Sequence, residues 1–318
     1  MNILSLENIT HSYTERKLFD NTSFYLHEGE KVGVIGINGT GKSTLLKIMA
    51  GLVVPDEGEV IKASNMMIHY LPQNPKFNDG DTVLESVQNM IHHHANENEL
   101  VKAKSMMTGL GITDFEQKTG ELSGGQRKRL ALVSVLITPC DILILDEPTN
   151  HLDSEMAQWL ENQLKAFKGA LVMVTHDRYF LDSVTNRIIE LDKGKIYSYD
   201  EKYSGFLQRK AEREDSVKAS ERKRQSILRK EIEWMQRGAR ARSTKQKAHI
   251  KRYEDLKNQK GIETEDKIEL SSIKSRMGKT TIEMENICKA YGENVLIKDF
   301  SYNFLKGDRV VFVGNNGC

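Results

Sequence analysis

A glycine-rich turn between an apolar stretch and a helix-forming stretch is the feature that most restricts how this chain can fold. The segment KVGVIGINGTGKSTLLKIMAG, residues 31–51, carries the spacing GxxxxGK[ST] from Gly36 to Ser43. Glycines allow successive backbone N–H groups to point at one anion, and the following helix adds its positive N-terminal dipole. The pattern predicts a strand, a phosphate-binding loop and a helix, in that order.

Side chains of this loop provide the first candidate ligands. We expect Lys42 to reach the β- and γ-phosphates of a nucleotide and Ser43 to bind Mg²⁺. The residues predicted to contact the nucleotide here are Gly36, Asn38, Gly39, Gly41, Lys42, Ser43 and Thr44.

Two buried strands end in polar residues. The run Ile142–Leu145 is apolar on both faces, as in a covered parallel sheet, and is followed by two carboxylates. An Asp-Glu pair alone is typical of a solvated turn. Beside the loop, it predicts that Asp146 holds Mg²⁺ through water and that Glu147 is the general base. The run at 170–175 similarly leads to His176, predicted to contact the γ-phosphate and to position Glu147.

The segment LSGGQRKRLAL, Leu122–Leu132, predicts a further helix start. Ser123 and Gly125 supply a hydroxyl and backbone N–H groups at the helix N-terminus, which is a second anion-binding position. Alone, the segment would indicate only the start of a helix. Because it lies between the loop and the carboxylates in the chain, it is interpreted as part of the same nucleotide-binding domain.

The beginning of the chain recurs near its end. Residues 9–40 align without a gap on residues 287–318 at an offset of about 278, so that Tyr13 matches Tyr291 and Gly36 matches Gly314. A period this long indicates duplicated domains rather than a solenoid. The second copy stops inside its own glycine-rich loop. From the sequence we expect a chain truncated in a second nucleotide-binding domain, since a lone β-element could not bury a core.

Composition restricts the class of protein further. Three separated cysteines, Cys140, Cys288 and Cys318, give no disulfide framework or zinc spacing and fit a reducing compartment. The N-terminus lacks the pattern of a signal peptide, and no stretch reaches the ~18 apolar residues of a membrane span. These features predict a cytoplasmic protein.

A basic segment follows the predicted nucleotide-binding domain. Residues 209–260 contain 18 basic and 8 acidic side chains, although the net charge of the whole chain is only +1. Helix-forming composition and apolar spacing predict an antiparallel helical hairpin with its turn near residues 237–244. Between Trp234 and Tyr253 there is no acid, which favours contact with phosphates over a merely solvated linker. The predicted RNA-binding residues are Arg237, Arg240, Arg242, Lys245, Lys247, Lys251 and Arg252.

The chain resembles an ABC-type ATPase domain in five segments taken together, which are the glycine-rich loop, LPQNP, LSGGQ, ILILDEPTNHLD and VTHD. The resemblance implies that Tyr13 stacks on adenine and that Gln73 senses Mg²⁺ and the attacking water. It implies two domains that enclose two ATP molecules head to tail, each site joining one phosphate loop to the other domain's LSGGQ. A fragment with one complete domain would then bind ATP but hydrolyse it poorly, unless two copies pair.

Two such domains joined by a basic hairpin resemble the ABC-F family of translation factors, and EIEWMQRGARARSTKQKAHIKRYEDL is similar to its Uup-type members. The resemblance implies an ATPase in the ribosomal tRNA exit site, whose linker reaches toward peptidyl-tRNA and which relieves stalled translation. An ATP-binding subunit of a transporter and a DNA-junction or DNA-repair ATPase stay open.

The predicted fold is α/β: a P-loop ATPase domain with a RecA-like core and antiparallel β and helical subdomains, plus a charged helical linker. The predicted boundaries are 1–200 for the ATPase domain, 201–275 for the linker and 276–318 for the stub of a second domain.

Overall fold

The computed structural model describes residues 1–13, 16–90, 97–150, 152–236, 280–291 and 294–311. The chain divides into two compact units, Met1–Arg213 and Glu214–Cys318. The strands are β1 (Asn2–Ser12), β2 (Lys17–His27), β3 (Lys31–Gly36), β4 (Glu57–Lys62), β5 (Ile68–Leu71), β6 (Ile142–Asp146), β7 (Ala170–Val174), β8 (Arg187–Asp192), β9 (Lys195–Tyr199), β10 (Thr280–Tyr291) and β11 (Asn294–Leu305). The helices are α1 (Lys42–Met49), α2 (Val83–Met90), α3 (Glu97–Gly109), α4 (Gly124–Ile137), α5 (Ser154–Ala166), α6 (Arg178–Val184) and α7 (Tyr203–Gln236), with a 3₁₀ turn at Thr119–Glu121.

A six-stranded sheet forms the centre of the first unit, in the order β5-β6-β7-β3-β8-β9. The neighbouring strands are parallel except for β8 and β9, which are antiparallel. The C-terminal ends of the parallel strands therefore meet at one edge, which is where ligands bind in folds of this kind. The glycine-rich loop after β3, the carboxylates after β6 and His176 after β7 all lie at this edge.

Residues of β6 alternate between two hydrophobic cores. Ile142 and Ile144 pack in the cluster that contains α1 and the inner faces of β1 and β2, whereas Leu143 and Leu145 pack in the cluster that contains α4 and α5. A strand with period-2 side chains that is covered on both faces has to be apolar throughout. The predicted buried strand at this position is confirmed.

A three-stranded antiparallel sheet, in the order β2-β1-β4, packs on the α1 side of the central sheet. Its two buried aromatic residues, Phe19 and Phe24, anchor it in that cluster. The predicted fold class, with a parallel core, an antiparallel β subdomain and a helical subdomain, is confirmed.

The internal repeat is visible in the structure of the second unit. β10 and β11 pair antiparallel, and Ile287 lies opposite Phe300, as Ile9 lies opposite Thr22 in the first copy. The left-handed residue also recurs, with φ 53° at Asn8 and φ 50° at Asn286. Each of the two backbone N–H groups donates to a serine Oγ at 2.9 Å. Strand pairing and bulges thus recur at the 278-residue offset.

The start of α7 is fastened to the first unit by a buried carboxylate. Glu190 on β8 is 4% exposed and accepts hydrogen-bonded ion pairs from Lys210 Nζ at 2.6 Å and from Arg213 Nη2 at 2.8 Å. Phe206, also buried, packs edge-on against Tyr199 with ring centroids 5.0 Å apart. The predicted helix after residue 203 is confirmed as far as Gln236. The second helix of the predicted hairpin lies outside the described residues.

Candidate nucleotide-binding site

The glycine-rich loop needs glycine at two positions for different reasons. Gly36 ends β3, and a Cβ there would lie 2.8 Å from both the Leu191 carbonyl oxygen and Thr40 Oγ1. Gly41 is the N-cap of α1 in a left-handed conformation with φ 99°. Because only glycine adopts that conformation without strain, α1 can begin directly after the turn, with its first N–H groups directed into the loop.

Lys42 is the first residue of α1, and its ammonium lies over the loop. Its Nζ donates to the carbonyl oxygens of Gly36 at 2.8 Å and Ile37 at 3.2 Å. Burial lowers the pKa of Lys42, while the nearby charges of Glu147 and Asp146 raise it. This cation and the free N–H groups of α1 face the same loop, which is an arrangement suited to phosphate oxygens.

The two carboxylates predicted for the site are almost completely buried. Asp146 is 1% exposed and Glu147 4% exposed. Glu147 has a left-handed backbone, with φ 53°, and its N–H donates to the carbonyl oxygen of Val174, the last residue of β7, at 2.8 Å. This bond from one strand end to the next keeps Glu147 in a conformation that a non-glycine residue rarely adopts.

Burial controls the electrostatics of this pair. It raises the pKa of Asp146, and the Ser43 hydroxyl and the ammonium groups of Lys128, Lys47 and Lys42 act in the opposite direction. Burial likewise raises the pKa of Glu147; His176 lowers it and the neighbouring Asp146 raises it again. His176 Nε2 lies 3.3 Å from Glu147 Oε1, and the predicted role of His176 in positioning Glu147 stays a prediction.

The oxygen atoms at this edge fit a magnesium ion. Among the residues that the structure describes, Asp146 Oδ1 and Glu147 Oε2 are buried without a hydrogen-bond partner. A buried carboxylate oxygen without a partner is costly, and a hard cation that binds oxygen would satisfy it. Asp146 and the adjacent Ser43 hydroxyl are therefore the groups that would hold Mg²⁺.

Gln73 and Tyr13 lie at the margins of the loop region. Gln73 is exposed, two residues beyond the end of β5. Tyr13 follows β1, is 62% exposed, and stands edge-on to the buried His11 ring with centroids 4.8 Å apart. The β1–β2 hairpin lies against the phosphate loop, since Phe19 Cζ would be 3.1 Å from a Cβ on Gly41. Tyr13 is exposed at the end of β1 in this hairpin, and its stacking on adenine stays a prediction.

The LSGGQ segment forms the N-terminus of α4. Ser123 Oγ accepts the N–H of Gln126 at 3.2 Å, and the Gln126 side chain accepts the N–H of Ser123 at 2.9 Å, which completes a capping box. Ser123 and Gly124 are exposed, and Gly124 has open space where a side chain would project. The helix terminus is accessible from outside at Ser123 and Gly124, whereas Gly125 is half-buried, and the binding of an anion by Ser123 and Gly125 stays a prediction.

Lys128 is a buried residue of the site that the sequence did not single out. It lies on α4 and contacts the backbone at the ends of β5 and β6 through Gln73 and Asp146. The sequence gives little signal for it, because Lys128 stands between Arg127 and Arg129, and only the packed structure distinguishes which of the three cations turns inward. The predicted RNA-binding residues all lie outside the described residues, within 237–279.

Comparison with known proteins identifies the class of this domain. Two family models, both described as ABC transporter, match residues 19–150 and 189–272. The dimeric ATP-binding cassette MJ0796, bound to ADP and Pi, superposes with a TM-score of 0.55 and 28% identity over 62% of this chain and 98% of that chain. The chain belongs to the ABC ATPase family, whose members bind and hydrolyse ATP, and the resemblance stated from the sequence is confirmed.

Two curated relatives are similar over nearly the whole chain. The uncharacterized ABC transporter ATP-binding protein YfmR of Bacillus subtilis is 42% identical over 100% of this chain and 56% of the relative. The energy-dependent translational throttle protein EttA of Escherichia coli is 35% identical over 96% of this chain and 62% of the relative. The chain thus spans about three fifths of the length of these relatives. In the part of the chain that the structure describes, no helix is long and apolar enough to cross a membrane.

Proposed function

We propose that this chain is the first ATPase domain and the linker of an ABC-F protein that acts on the ribosome and relieves stalled translation. The observation that carries the proposal is α7, a helix of 34 residues that begins in the ATPase unit and contains the first part of the basic segment. A relative that is named as a translational throttle, and is similar over 96% of the chain, supports the same assignment.

The charge of the linker indicates the kind of partner. Residues 234–253 carry seven lysine and arginine side chains and no acid. Charges of one sign repel each other, and nucleic-acid phosphates neutralise them with release of counterions. A basic helical hairpin, as predicted from the sequence, suits irregular RNA, such as rRNA or the acceptor end of peptidyl-tRNA in the tRNA exit site, better than the groove of a DNA duplex.

The ATP site would supply the energy for binding and release. In this proposal Lys42 and the loop hold the phosphates, Tyr13 stacks on adenine and Gln73 contacts the attacking water. Bound Mg²⁺ supplies positive charge at the transferring phosphate. Glu147 takes the proton of the attacking water, and His176, 3.3 Å away, orients it.

A complete site requires a second domain. The exposed Ser123 and the half-buried Gly125 would contact the ATP held by another ATPase domain, and a signature segment from that domain would close the site at Lys42. We expect the 318-residue chain to bind ATP and to hydrolyse it slowly, unless two copies associate head to tail.

Co-sedimentation with ribosomes tests the proposal. The complete gene product carrying Glu147→Gln is pelleted with ribosomes and ATP over a series of salt concentrations. In a second protein Arg240, Arg242, Lys245 and Lys247 are also changed to Glu. We expect the first protein to pellet and the second to stay in the supernatant, or to bind with a log–log salt slope smaller by about 3.

A matched control separates a specific contact from net charge. Four exposed lysines of the ATPase unit, Lys76, Lys102, Lys118 and Lys168, are changed to Glu, which gives the same change in charge. This variant is expected to pellet like the parent. Equal loss of binding in both variants would contradict a contact through the linker. Displacement of the protein from ribosomes by a four-way DNA junction, but not by free rRNA, would favour the DNA-binding alternative.

A further inference from the structure

Lys128 is a buried cation that joins the signature helix to the catalytic edge of the same domain. Its side chain is on α4, the residue is 4% exposed, and its Nζ donates to the carbonyl oxygens of Gln73 at 3.2 Å and Asp146 at 3.3 Å. Asp146 is the last residue of β6, and Gln73 lies two residues beyond the end of the neighbouring parallel strand β5. One ammonium group therefore fastens the ends of both strands to the helix.

The hydrogen bonds of Lys128 do not occupy the carboxylate oxygens of Asp146 and Glu147. Its hydrogen bonds go to main-chain carbonyls, while Asp146 Oδ1 and Glu147 Oε2 have no hydrogen-bond partner among the described residues. The ammonium charge is nevertheless close enough to lower the pKa of both carboxyl groups. Lys128 thus provides positive charge behind the carboxylates without occupying the atoms that would face Mg²⁺ and water.

Helix geometry connects Lys128 to the exposed end of α4. Lys128 is five residues beyond Ser123, which corresponds to about 7.5 Å along a helix at 1.5 Å per residue. The exposed N-terminus and the buried ammonium therefore belong to one rigid segment of less than two turns. The hydrogen bonds of this ammonium connect the same segment to the backbone of Gln73 and Asp146.

We propose that Lys128 is a positioning residue that makes the geometry of Gln73 and Asp146 depend on the position of the signature helix. The helix whose N-terminus serves the ATP of the other domain would thereby be coupled to the catalytic edge of its own domain. This inference rests on the roles proposed above for Asp146 and Glu147, and it is independent of the proposed action on ribosomes.

Kinetics of three variants of the complete gene product, measured without ribosomes, test the inference. Lys128→Met removes the charge and both hydrogen bonds at similar length, and Lys128→Arg retains a cation and donors. Arg129→Met is the matched control, because Arg129 is also a partly buried cation of α4, but it donates to the carbonyl oxygen of Leu110 at 2.8 Å rather than to the catalytic edge. For each variant we would measure the kcat and KM for Mg·ATP, the Kd for ATP without Mg²⁺, and the Tm.

We expect Lys128→Met to lower kcat by about 10- to 100-fold, as is typical when a group that supports metal ligands is removed. The Kd for ATP without Mg²⁺ should stay within about twofold, since the phosphate loop is untouched, and Lys128→Arg should recover most of kcat. Arg129→Met should lower the Tm comparably and leave kcat within about twofold.

Two results would overturn the inference. One is a wild-type kcat in folded Lys128→Met; the other is an equal loss of kcat in Arg129→Met at the same loss of Tm, which would assign Lys128 a purely structural role. If Lys128→Met does not fold, Lys128→Gln takes its place, with the same expected loss of kcat and the same two contradicting results. Because these kinetics are measured without ribosomes, a result that contradicts the role of Lys128 is distinguishable from a failure of ribosome binding.

Discussion

Glu147 combines three costly features in one residue. Its carboxylate is buried, one of its oxygens has no hydrogen-bond partner among the described residues, and its backbone is left-handed with φ 53°. A non-glycine residue in that conformation costs about 1–3 kcal/mol and persists where the surrounding structure determines it. Here the hydrogen bond from its N–H to Val174 holds it at the edge where the loop, Asp146 and His176 meet.

Replacement of Glu147 by Gln tests its role at the residue scale. Glutamine keeps the shape but cannot accept the proton, so ATP binding should be retained and phosphate release should fall by at least about 100-fold. Glu155→Gln, on the exposed first turn of α5, is the control. Normal turnover in Glu147→Gln would remove Glu147 from its proposed role.

The same variant should change the pH dependence of stability. Burial raises the pKa of Glu147, so the folded protein binds its proton more tightly than the unfolded chain does. Stability therefore falls as pH rises from below the usual glutamate range through the raised pKa. The free energy of unfolding of Glu147→Gln, measured with denaturant at several pH values, should fall less over that window than the wild-type value. An unchanged slope would contradict burial as the cause.

At this scale the sequence predicted residues that motifs identify and missed one that packing identifies. Asp146 and His176 come at the ends of apolar strands, and Lys42 follows a glycine-rich loop. Their order in the chain was therefore sufficient to single them out as candidate site residues. Lys128 lies in a run of three cations, and its inward direction depends on how α4 packs against β5 and β6. No local pattern contains that information.

At the scale of elements, α7 depends on how its first turns attach to the sheet. Glu190 accepts two ion pairs in a buried position, and β8, which carries it, pairs with β3, the strand that ends in the phosphate loop. The next residue of β8, Leu191, lies opposite Gly36. The root of the linker helix is thus attached to the strand beside the nucleotide loop.

Glu190→Gln tests this attachment. It leaves the Lys210 and Arg213 cations without their buried counter-charge, and we expect the free energy of unfolding to decrease by about 3 kcal/mol. Glu201→Gln is the matched control, because the pair between Glu201 and Arg209 is exposed, with 3.8 Å between its atoms, and should contribute at most about 1 kcal/mol. Equal effects in the two variants, measured by denaturant unfolding, would show that Glu190 is not the anchor.

Element positions followed from the sequence closely where periodicity was strong. The predicted strand at 142–145 ends at Asp146, the strand at 170–175 ends at Val174, and the helix around LSGGQ begins at Gly124. The packing of the first turns of α7 against the sheet could not be predicted from the sequence. A charged helix can have the same composition whether it is packed against the protein or surrounded by water. That packing extends the first compact unit to Arg213, while the boundary after residue 200 stays a prediction.

At the scale of the whole molecule, the repeat is the main constraint. The second copy reproduces the strand pairing of the first, including its bulges, and the curated relatives are longer than this chain. Self-similarity of the sequence was enough to predict that residues 287–318 repeat residues 9–40. The arrangement of two complete domains around ATP is a proposal.

The requirement for a second domain predicts a concentration dependence. If two copies of the 318-residue chain have to associate to complete a site, phosphate release per molecule should rise with protein concentration. Ser123→Ala should weaken this rise, since the exposed helix terminus would contact the other copy's ATP. A specific rate that is constant over about a hundredfold range of concentration would contradict pairing in that range.

The central claim is that the state of the ATP site controls binding to the ribosome, and one measurement tests it most directly. The affinity of the complete gene product carrying Glu147→Gln for ribosomes is measured with ATP and with ADP, at one salt concentration. We predict binding that is at least about tenfold tighter with ATP, because the proposed mechanism requires ATP to hold two domains together in the ribosome-binding state and Glu147→Gln is expected to prevent hydrolysis. Equal affinity with the two nucleotides would contradict the claim, even if the protein binds ribosomes.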